Sequence, residues 1–307
     1  MNIVSFISSV LSGRQKSKQP EFSVTVPGDP VFILSDEFEG IELLDNRELI
    51  ARFYLRGNGV EIGALHKPLK VDQSKASVVY VDYKSLTENR ERYPELEKEE
   101  IVNTDIIDDG FVLATVDDEH FDFLVANHAL EHSPDPLGTL GVWLSKIKQG
   151  GVLYMAVPIA AKCYDNGREI TSLKHFYEDL EEFRSLNKKR VMKKTKAHIL
   201  DFISISGNNI RVMNKLGPVT DQERSKLVAK LIERLQEKMN GVFDYQGMID
   251  AHVSGVNRKY DIHYHTFTPT SYEQMLSSFC RDMKATLENV IKNGNGEAIG
   301  IIRRGYE

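Results

Sequence analysis

The spacing of apolar residues divides the chain into regions with different periodicities. Short runs rich in valine and isoleucine, each of strand length, are separated by intervals long enough for helices. This alternation is typical of a parallel sheet covered by helices on both faces. We therefore predict an α/β fold whose strands lie in the runs VEIGA, SVVYVDY, EEIVNTDI, FDFLVANHAL and GGVLYMAVPI.

Two other patterns flank this alternation. Apolar residues recur at three- and four-residue intervals in FYEDLEEFRSL, KAHILDFI and QERSKLVAKLIERLQEKMNG, which predicts helices. Near the end of the chain, two apolar runs flank the turn GNG, which predicts a hairpin with an antiparallel last strand. We thus expect a mobile tail and linker at residues 1–30, a core formed by residues 31–170 and 260–307, and a mainly helical insertion at residues 171–259.

The amino-acid composition favours a soluble globular protein and argues against a nucleic-acid-binding one. Hydrophobic residues make up 41% of the 307 residues and charged residues 27%, as in soluble globular proteins. The net charge of −6 argues against nucleic-acid binding by the whole chain, which requires a concentrated positive surface. Cys163 and Cys280 have no ligand spacing, so we expect a reducing, cytoplasmic location. Membrane association of the N-terminal segment MNIVSFISSVLSG is a less favoured alternative, and the sequence does not indicate an oligomeric state.

Glycine and acidic residues follow the predicted strands at the edge where open α/β sheets bind ligands. Gly63 can let the backbone approach a ligand closely, because glycine has no Cβ. Asp82 ends the second strand, where a carboxylate can accept hydrogen bonds from both ribose hydroxyls of an adenosine-containing ligand. Asp105 and Ile106 end the third strand, a pair that suits an adenine amino group and the face of its ring.

The order of these motifs resembles the class I S-adenosylmethionine-dependent methyltransferases. The stretch FDFLVANHALEHSPDP, followed by LSKIKQGGVLYMAVP, carries most of the similarity, which covers about residues 57–160. The terminal hairpin adds an antiparallel strand that ordinary Rossmann dehydrogenases lack. The loop EIGALHKP departs from the DxGxG of many members at Ala64 and Leu65. The resemblance implies a Rossmann-like seven-stranded sheet with an antiparallel last strand, flanked by helices, with a helical insertion.

The resemblance also implies S-adenosylmethionine as the cofactor and S-adenosylhomocysteine as its product. Small molecules and glycans are the implied acceptors. The cofactor-binding residues implied in this chain are Glu61, Gly63 and Ala64 at the methionine pocket, Asp82 with the adjacent Tyr83 at the ribose, Asp105 and Ile106 at the adenine, and Asn127 and His128 at the sulfonium side.

A hydroxyl acceptor would add a need for a general base, because its proton must leave during methyl transfer. Two segments on the implied acceptor side, CYDNGREITSLKHFYEDL and DIHYHTFTP, supply the candidates. His263 and His265 are two residues apart, which predicts that they share one face of an extended segment. We expect O-methylation with a histidine or aspartate base, while an amine acceptor that needs no strong base stays open. The candidate catalytic residues are His175, His265, Asp165 and His263.

Three alternatives also stay open. One is a non-catalytic protein that binds S-adenosylmethionine and uses the helical insertion as an interaction surface. Another is a nicotinamide-dependent oxidoreductase, although this sequence lacks the full GxGxxG loop. The third is a divalent metal ion bound by His175, Asp179, His263 and His265. Their spacing does not require an ion, so we expect none.

Overall fold

The computed structural model describes residues 31–33, 46–185, 187–213 and 262–306, with the isolated positions 220, 222 and 226. The predicted tail at residues 1–30 and most of the helix predicted in QERSKLVAKLIERLQEKMNG lie outside the described residues. Helices in these ranges are α1 (Asn46–Tyr54), α2 (Leu86–Arg92), α3 (Pro136–Lys146), α4 (Leu173–Arg184), α5 (Lys188–Ser204), α6 (Ser206–Met213) and α7 (Pro269–Asp282). The strands are β1 (Val31–Ile33), β2 (Gly57–Ile62), β3 (Ala76–Asp82), β4 (Ile106–Ile107), β5 (Phe121–Asn127), β6 (Ile147–Pro158), β7 (Thr286–Asn293) and β8 (Glu297–Arg303).

One mixed sheet contains all of these strands, in the order β1-β7-β8-β6-β5-β2-β3-β4. The central strands pair in parallel, whereas β8 is antiparallel to both β6 and β7. The predicted seven-stranded sheet with an antiparallel last strand is therefore confirmed. The three-residue strand β1 adds an eighth member, parallel to β7 at one edge.

Apolar layers cover both faces of the sheet, as the alternation along β5 requires. Phe123 and Val125 point toward α1, while Leu124 and Ala126 belong to the layer that includes α3 and α7. All four side chains are fully buried, because a strand in the middle of a parallel sheet has no solvent-exposed face.

Local signals fix where the helices beside the cleft begin. Asp135 caps α3 by accepting a hydrogen bond from the Gly138 amide at 2.9 Å, and Pro136 occupies the first turn. Thr268 caps α7 in a capping box with Ser271. Shortly before α7, Phe267 forms an isolated parallel bridge with Ile159, the residue that follows β6. The segment 262–267 therefore runs beside the carboxyl edge of the sheet.

The described part of region 171–259 contains α4, α5 and α6 and no strand. The domain boundaries given above stay a prediction, since most of residues 214–261 are not described. Across the described ranges, none of the helices has the length and apolar character needed to cross a membrane.

Candidate active site

The carboxyl ends of β2, β3 and β5 lie side by side and form the floor of a candidate cofactor site. Gly63 follows β2 with φ +64°, in the left-handed region that favours glycine. Its amide donates to the Val81 carbonyl at 2.9 Å, which fixes the start of the loop. A Cβ built at Gly63 meets no described atom within 4 Å. The backbone here therefore faces open space that a ligand can enter.

Glu61 anchors the loop that follows this glycine. Its side chain is buried, and its two carboxylate oxygens accept the Leu69 amide at 3.1 and 2.9 Å. The Asn127 amide nitrogen lies 3.4 Å from Oε1. Burial raises the pKa of Glu61 to about 7, although these hydrogen bonds oppose the rise. The Asn127 amide oxygen is buried without a hydrogen-bond partner among the described residues, which leaves it able to bind a ligand.

The neighbouring strand β3 places Asp82 at the same edge. Its carboxylate accepts the Lys84 amide at 3.0 Å, and burial raises the pKa of the group. The guanidinium of Arg92 lies 5.2 Å from the centroid of the Tyr83 ring. Ala64, in the loop after Gly63, is partly exposed. The predicted ribose and methionine contacts of these residues stay predictions.

The structure does not bring Asp105 to the carboxyl edge of the sheet. Ile106 begins β4 opposite Val81, so Asp105 lies before the strand and not after it. Its carboxylate accepts the Tyr80 amide at 2.9 Å. The acid that follows β4 is Asp108, which accepts the amide and hydroxyl of Thr115 at 2.7 and 2.6 Å. Ile106, in contrast, lies opposite Val81 at the carboxyl end of β3, and the adenine contact assigned to Asp105 and Ile106 stays a prediction.

His128 follows β5 with φ +52° and connects two buried carboxylates. Its Nε2 lies 2.8 Å from Glu297 Oε2, and its Nδ1 lies 3.5 Å from Glu131 Oε1. Burial alone would lower the pKa of His128, but the two glutamates outweigh it and raise this pKa to about 9. Arg47 also pairs with Glu297, whose pKa falls to about 2 despite its burial. His128 is therefore protonated at neutral pH.

Glu131 was not singled out from the sequence, although it lies inside the quoted LEH stretch. It is fully buried, yet nearby histidines hold its pKa below the usual value. The Nε2 atoms of His132 and His263 lie 4.0 and 3.9 Å from its Oε1. Neither carboxylate oxygen has a hydrogen-bond partner in the described part of the chain. Its burial among histidines, which only the folded structure shows, is what marks it as a candidate site residue.

His263 lies between an acid and a hydroxyl on the other side of Glu131. Its Nδ1 is 2.5 Å from Asp165 Oδ2, and its Nε2 is 2.6 Å from the Tyr164 hydroxyl. Arg168 and Ser206 hold the second oxygen of Asp165 at 2.9 and 2.6 Å. Burial alone would raise the pKa of Asp165, but these partners keep it below its usual range. Burial also disfavours the charged form of His263 and so lowers the pKa of its imidazole. The result is a hydrogen-bonded chain from carboxylate through imidazole to phenol.

His265 lies in a different group, so the expectation that it shares one face with His263 is wrong. It is fully buried, and its Nε2 lies 3.7 Å from Asp179 Oδ2. His175 contacts the same oxygen at 3.2 Å, and His198 lies 3.4 Å from Oδ1. Residues 262–266 form no regular strand, so the alternation that would place the two histidines on one face does not apply, and the two rings contact different groups.

A comparison with protein families identifies the domain that contains this edge of the sheet. Residues 57–155 match a family model described as a methyltransferase domain. The chain carries a class I S-adenosylmethionine-dependent methyltransferase domain. The matched segment runs from β2 into β6 and thus includes the open Gly63 loop, the Asp82 carboxylate and the free oxygen of Asn127. This methyltransferase is an enzyme whose cofactor is S-adenosylmethionine, and the open, partly polar strand ends fit such a ligand.

Other comparisons add little about the methyltransferase. No curated protein matches its sequence significantly. A solved S-adenosylmethionine-dependent methyltransferase from Methanosarcina mazei aligns at 15% identity and a TM-score of 0.39, over 86% of this chain and 100% of that one. A protein from Rhodobacter sphaeroides, provisionally named a Zn-dependent alcohol dehydrogenase, aligns at 13% identity and a TM-score of 0.39, over 82% and 86%. With TM-scores below 0.5, these likenesses carry no argument about this chain.

Proposed function

We propose that this enzyme methylates a hydroxyl group of a small molecule or saccharide, and that Tyr164 and His263 receive the proton that the hydroxyl loses. The observation that carries the proposal is the chain of hydrogen bonds Asp165–His263–Tyr164. It lies beside Glu131, which follows the matched strand β5. We place the reaction in the cytoplasm, because the free thiols of Cys163 and Cys280 suit a reducing compartment.

The hydrogen-bond partners fix the direction of proton transfer. Asp165 is ionised and accepts the Nδ1 proton of His263, so the neutral imidazole has its lone pair on Nε2. That lone pair faces the Tyr164 hydroxyl. As the acceptor hydroxyl loses its proton to the Tyr164 oxygen, the phenol can pass its own proton to Nε2 of His263. Asp165 then stabilises the imidazolium that forms.

The cofactor side follows from the strand ends described above. S-adenosylmethionine, when bound, supplies a methyl group on a positively charged sulfur. The Gly63 loop would hold its methionine part and Asp82 its ribose. Glu61 positions that loop through the Leu69 amide. Because a methyl donor of this kind is already activated, the protein mainly has to hold the two reactants together and remove the proton.

The other candidate bases fit this role less well. His265 is fully buried, and His175 is turned toward Asp179 at 3.2 Å. Asp165 is paired with Arg168 and serves to orient His263. His263 is therefore the candidate whose ring bonds directly to the hydroxyl of a partly exposed residue, Tyr164.

The test measures S-adenosylhomocysteine formation on matched alcohol, saccharide and amine acceptors. We expect turnover with hydroxyl acceptors, reduced about 10²–10⁴-fold in His263→Gln and Tyr164→Phe, with cofactor affinity unchanged. His120→Ala, which alters an exposed histidine outside the site, is the control. Turnover of amines alone, or full turnover by both variants, would refute the proposed acceptor and base. Cofactor binding without turnover on any acceptor would favour a non-catalytic binding protein.

A further inference from the structure

Four side chains from three separate elements converge at the base of the helical region, and we call them the Asp179 cluster. Ring nitrogens of His175 on α4, His198 on α5 and His265 before α7 lie within 4.8 Å of one another, and Asp179 on α4 contacts all three rings. The Nε2 atoms of His175 and His198 are 3.4 Å apart. Distances from the Asp179 oxygens to the three Nε2 atoms are 3.2, 3.4 and 3.7 Å.

Hydrogen bonding among these groups leaves buried atoms unsatisfied. Both ring nitrogens of fully buried His265 lack a hydrogen-bond partner within the described ranges, and so does Asp179 Oδ2. Buried polar groups left without a partner are destabilising, because they lose their hydrogen bonds to water on folding. Several orphaned donors and acceptors in one small buried space indicate that a further atom belongs there.

The position of the proton on the His198 ring indicates that the missing atom is a cation. Its Nδ1 lies 3.1 Å from the Tyr264 carbonyl oxygen, which can only accept a hydrogen bond, so Nδ1 carries the proton. A neutral His198 then directs an unshared electron pair from Nε2 toward the Asp179 carboxylate. A cation bound between His198 Nε2 and Asp179 Oδ1, which lie 3.4 Å apart, would stabilise both electron pairs, in addition to the Lys194 ammonium 3.3 Å from Oδ1. One metal ion could accept electron pairs from all four side chains at once, whereas one proton can be shared by only two of them.

We propose that His175, Asp179, His198 and His265 bind one divalent transition-metal ion of the zinc type. With metal–ligand bonds of about 2.0–2.2 Å, the ligand atoms of a tetrahedral zinc site lie about 3.3–3.5 Å apart. The distances in the cluster approach this value. The bond from His198 to the Tyr264 carbonyl is the outer-shell contact that ligating histidines usually make. Lys194, 3.3 Å from Asp179 Oδ1, neutralises the carboxylate from outside.

Four protein ligands close the coordination shell, so the ion has a structural role. It would join α4 and α5 to the segment that carries His263. The partly exposed ring of His175 gives the ion a route of entry. Two other groups of ligand-type residues share His263, but both of its ring nitrogens are already engaged by Asp165 and Tyr164. Such a metal site would be the same whichever acceptor the enzyme methylates.

Metal content of the full-length protein, purified without a polyhistidine tag, tests the proposal. We expect about one zinc ion per chain and, after chelation and addition of Co²⁺, the visible spectrum of tetrahedral cobalt. His198→Ala and His265→Ala should lower Zn²⁺ affinity by more than the roughly 10–100-fold typical of losing an outer-shell partner. His120→Ala and His263→Ala should retain the metal. A wild-type protein that retains no more Zn²⁺ or Co²⁺ than His198→Ala would overturn the proposal.

A second comparison separates a metal site from a hydrogen-bonded network that needs no metal. Lys194→Met removes a cation next to Asp179, so a metal site should keep its Zn²⁺ stoichiometry and bind at least as tightly. Thermal unfolding of the variants, each with and without Zn²⁺, shows which of them fold. A folded Lys194→Met that binds no Zn²⁺ would count against the proposed ligands, as would metal loss in His263→Ala with full binding by His265→Ala.

Discussion

Substituting Glu61 with glutamine should change how stability depends on pH. Glu61 is almost fully buried beneath the cofactor loop, where its carboxylate accepts the Leu69 amide with both oxygens. Glutamine has the same shape and one remaining acceptor, but it does not ionise. The variant therefore removes the titration of this group while keeping most of its packing.

The size of the effect follows from the pKa of Glu61, which burial raises from 4.5 to about 7. Between these two values the folded protein binds a proton that the unfolded chain has released. The stabilising contribution of Glu61 is thus fully present below pH 4.5 and is lost as pH rises through 7. At about 1.4 kcal/mol per pH unit, the loss amounts to about 3 kcal/mol. Relative to wild type, Glu61→Gln should gain this amount of stability between pH 4.5 and pH 8.

Urea unfolding at several pH values measures the difference. The single tryptophan, Trp143, is fully buried, so its fluorescence reports unfolding. All other titrating groups are common to both proteins and cancel in the comparison. Glu99→Gln, at an exposed position, is the matched control and should run parallel to wild type. If the curves for Glu61→Gln and wild type are parallel from pH 4.5 to 8, Glu61 does not titrate in this range and the reasoning is wrong.

Three other predictions concern the same edge of the sheet. Asp82→Ala should weaken S-adenosylhomocysteine binding in calorimetry by about 1–3 kcal/mol, because the ribose hydroxyls lose a charged acceptor, and NAD should not bind either protein. Gly63→Ala should lower the free energy of unfolding by about 1–2 kcal/mol because of its positive φ, and reduce cofactor affinity about tenfold or more because the new methyl group enters the open space. Glu297→Gln should lower the pKa of His128, about 9 in the wild type, when it is followed by NMR of the imidazole protons. An unchanged affinity or pKa in any of these would contradict the role given to that residue.

The fold could be predicted from the sequence because its main signals are local. Short valine- and isoleucine-rich runs and the interval between Gly63 and Asp82 both follow from a buried parallel sheet. The GNG turn predicted the antiparallel hairpin for the same reason. The edge strand β4 was placed too early, however, since it pairs only at Ile106 and Ile107. A strand with two paired residues leaves almost no periodicity to detect.

The acceptor side was harder to predict because distant contacts build it. His263 and His265 are two residues apart, yet they meet partners 98 and 86 residues earlier in the chain. His198 was missed because a lone histidine within a helix carries no spacing signal. Glu131 was missed because its burial and histidine neighbours depend on the tertiary fold. Sequence spacing identifies residues that act within one element, and these sites combine residues from three or four.

The segment 262–266 connects the two groups of histidines through its backbone. Arg168 donates to the carbonyl oxygens of His263 and Tyr264 at 2.8 and 3.2 Å, while the Tyr264 amide donates to the Glu131 carbonyl at 2.8 Å. His198 Nδ1 donates to the same Tyr264 carbonyl oxygen at 3.1 Å. A single irregular stretch is thus held by the loop after β5, by Arg168 and by α5. Because hydrogen bonds to Arg168, to His198 and to the Glu131 carbonyl all involve the main chain of this segment, we expect a shift at His265 to displace His263 as well. Such a shift would couple the proposed metal site to the proposed proton transfer.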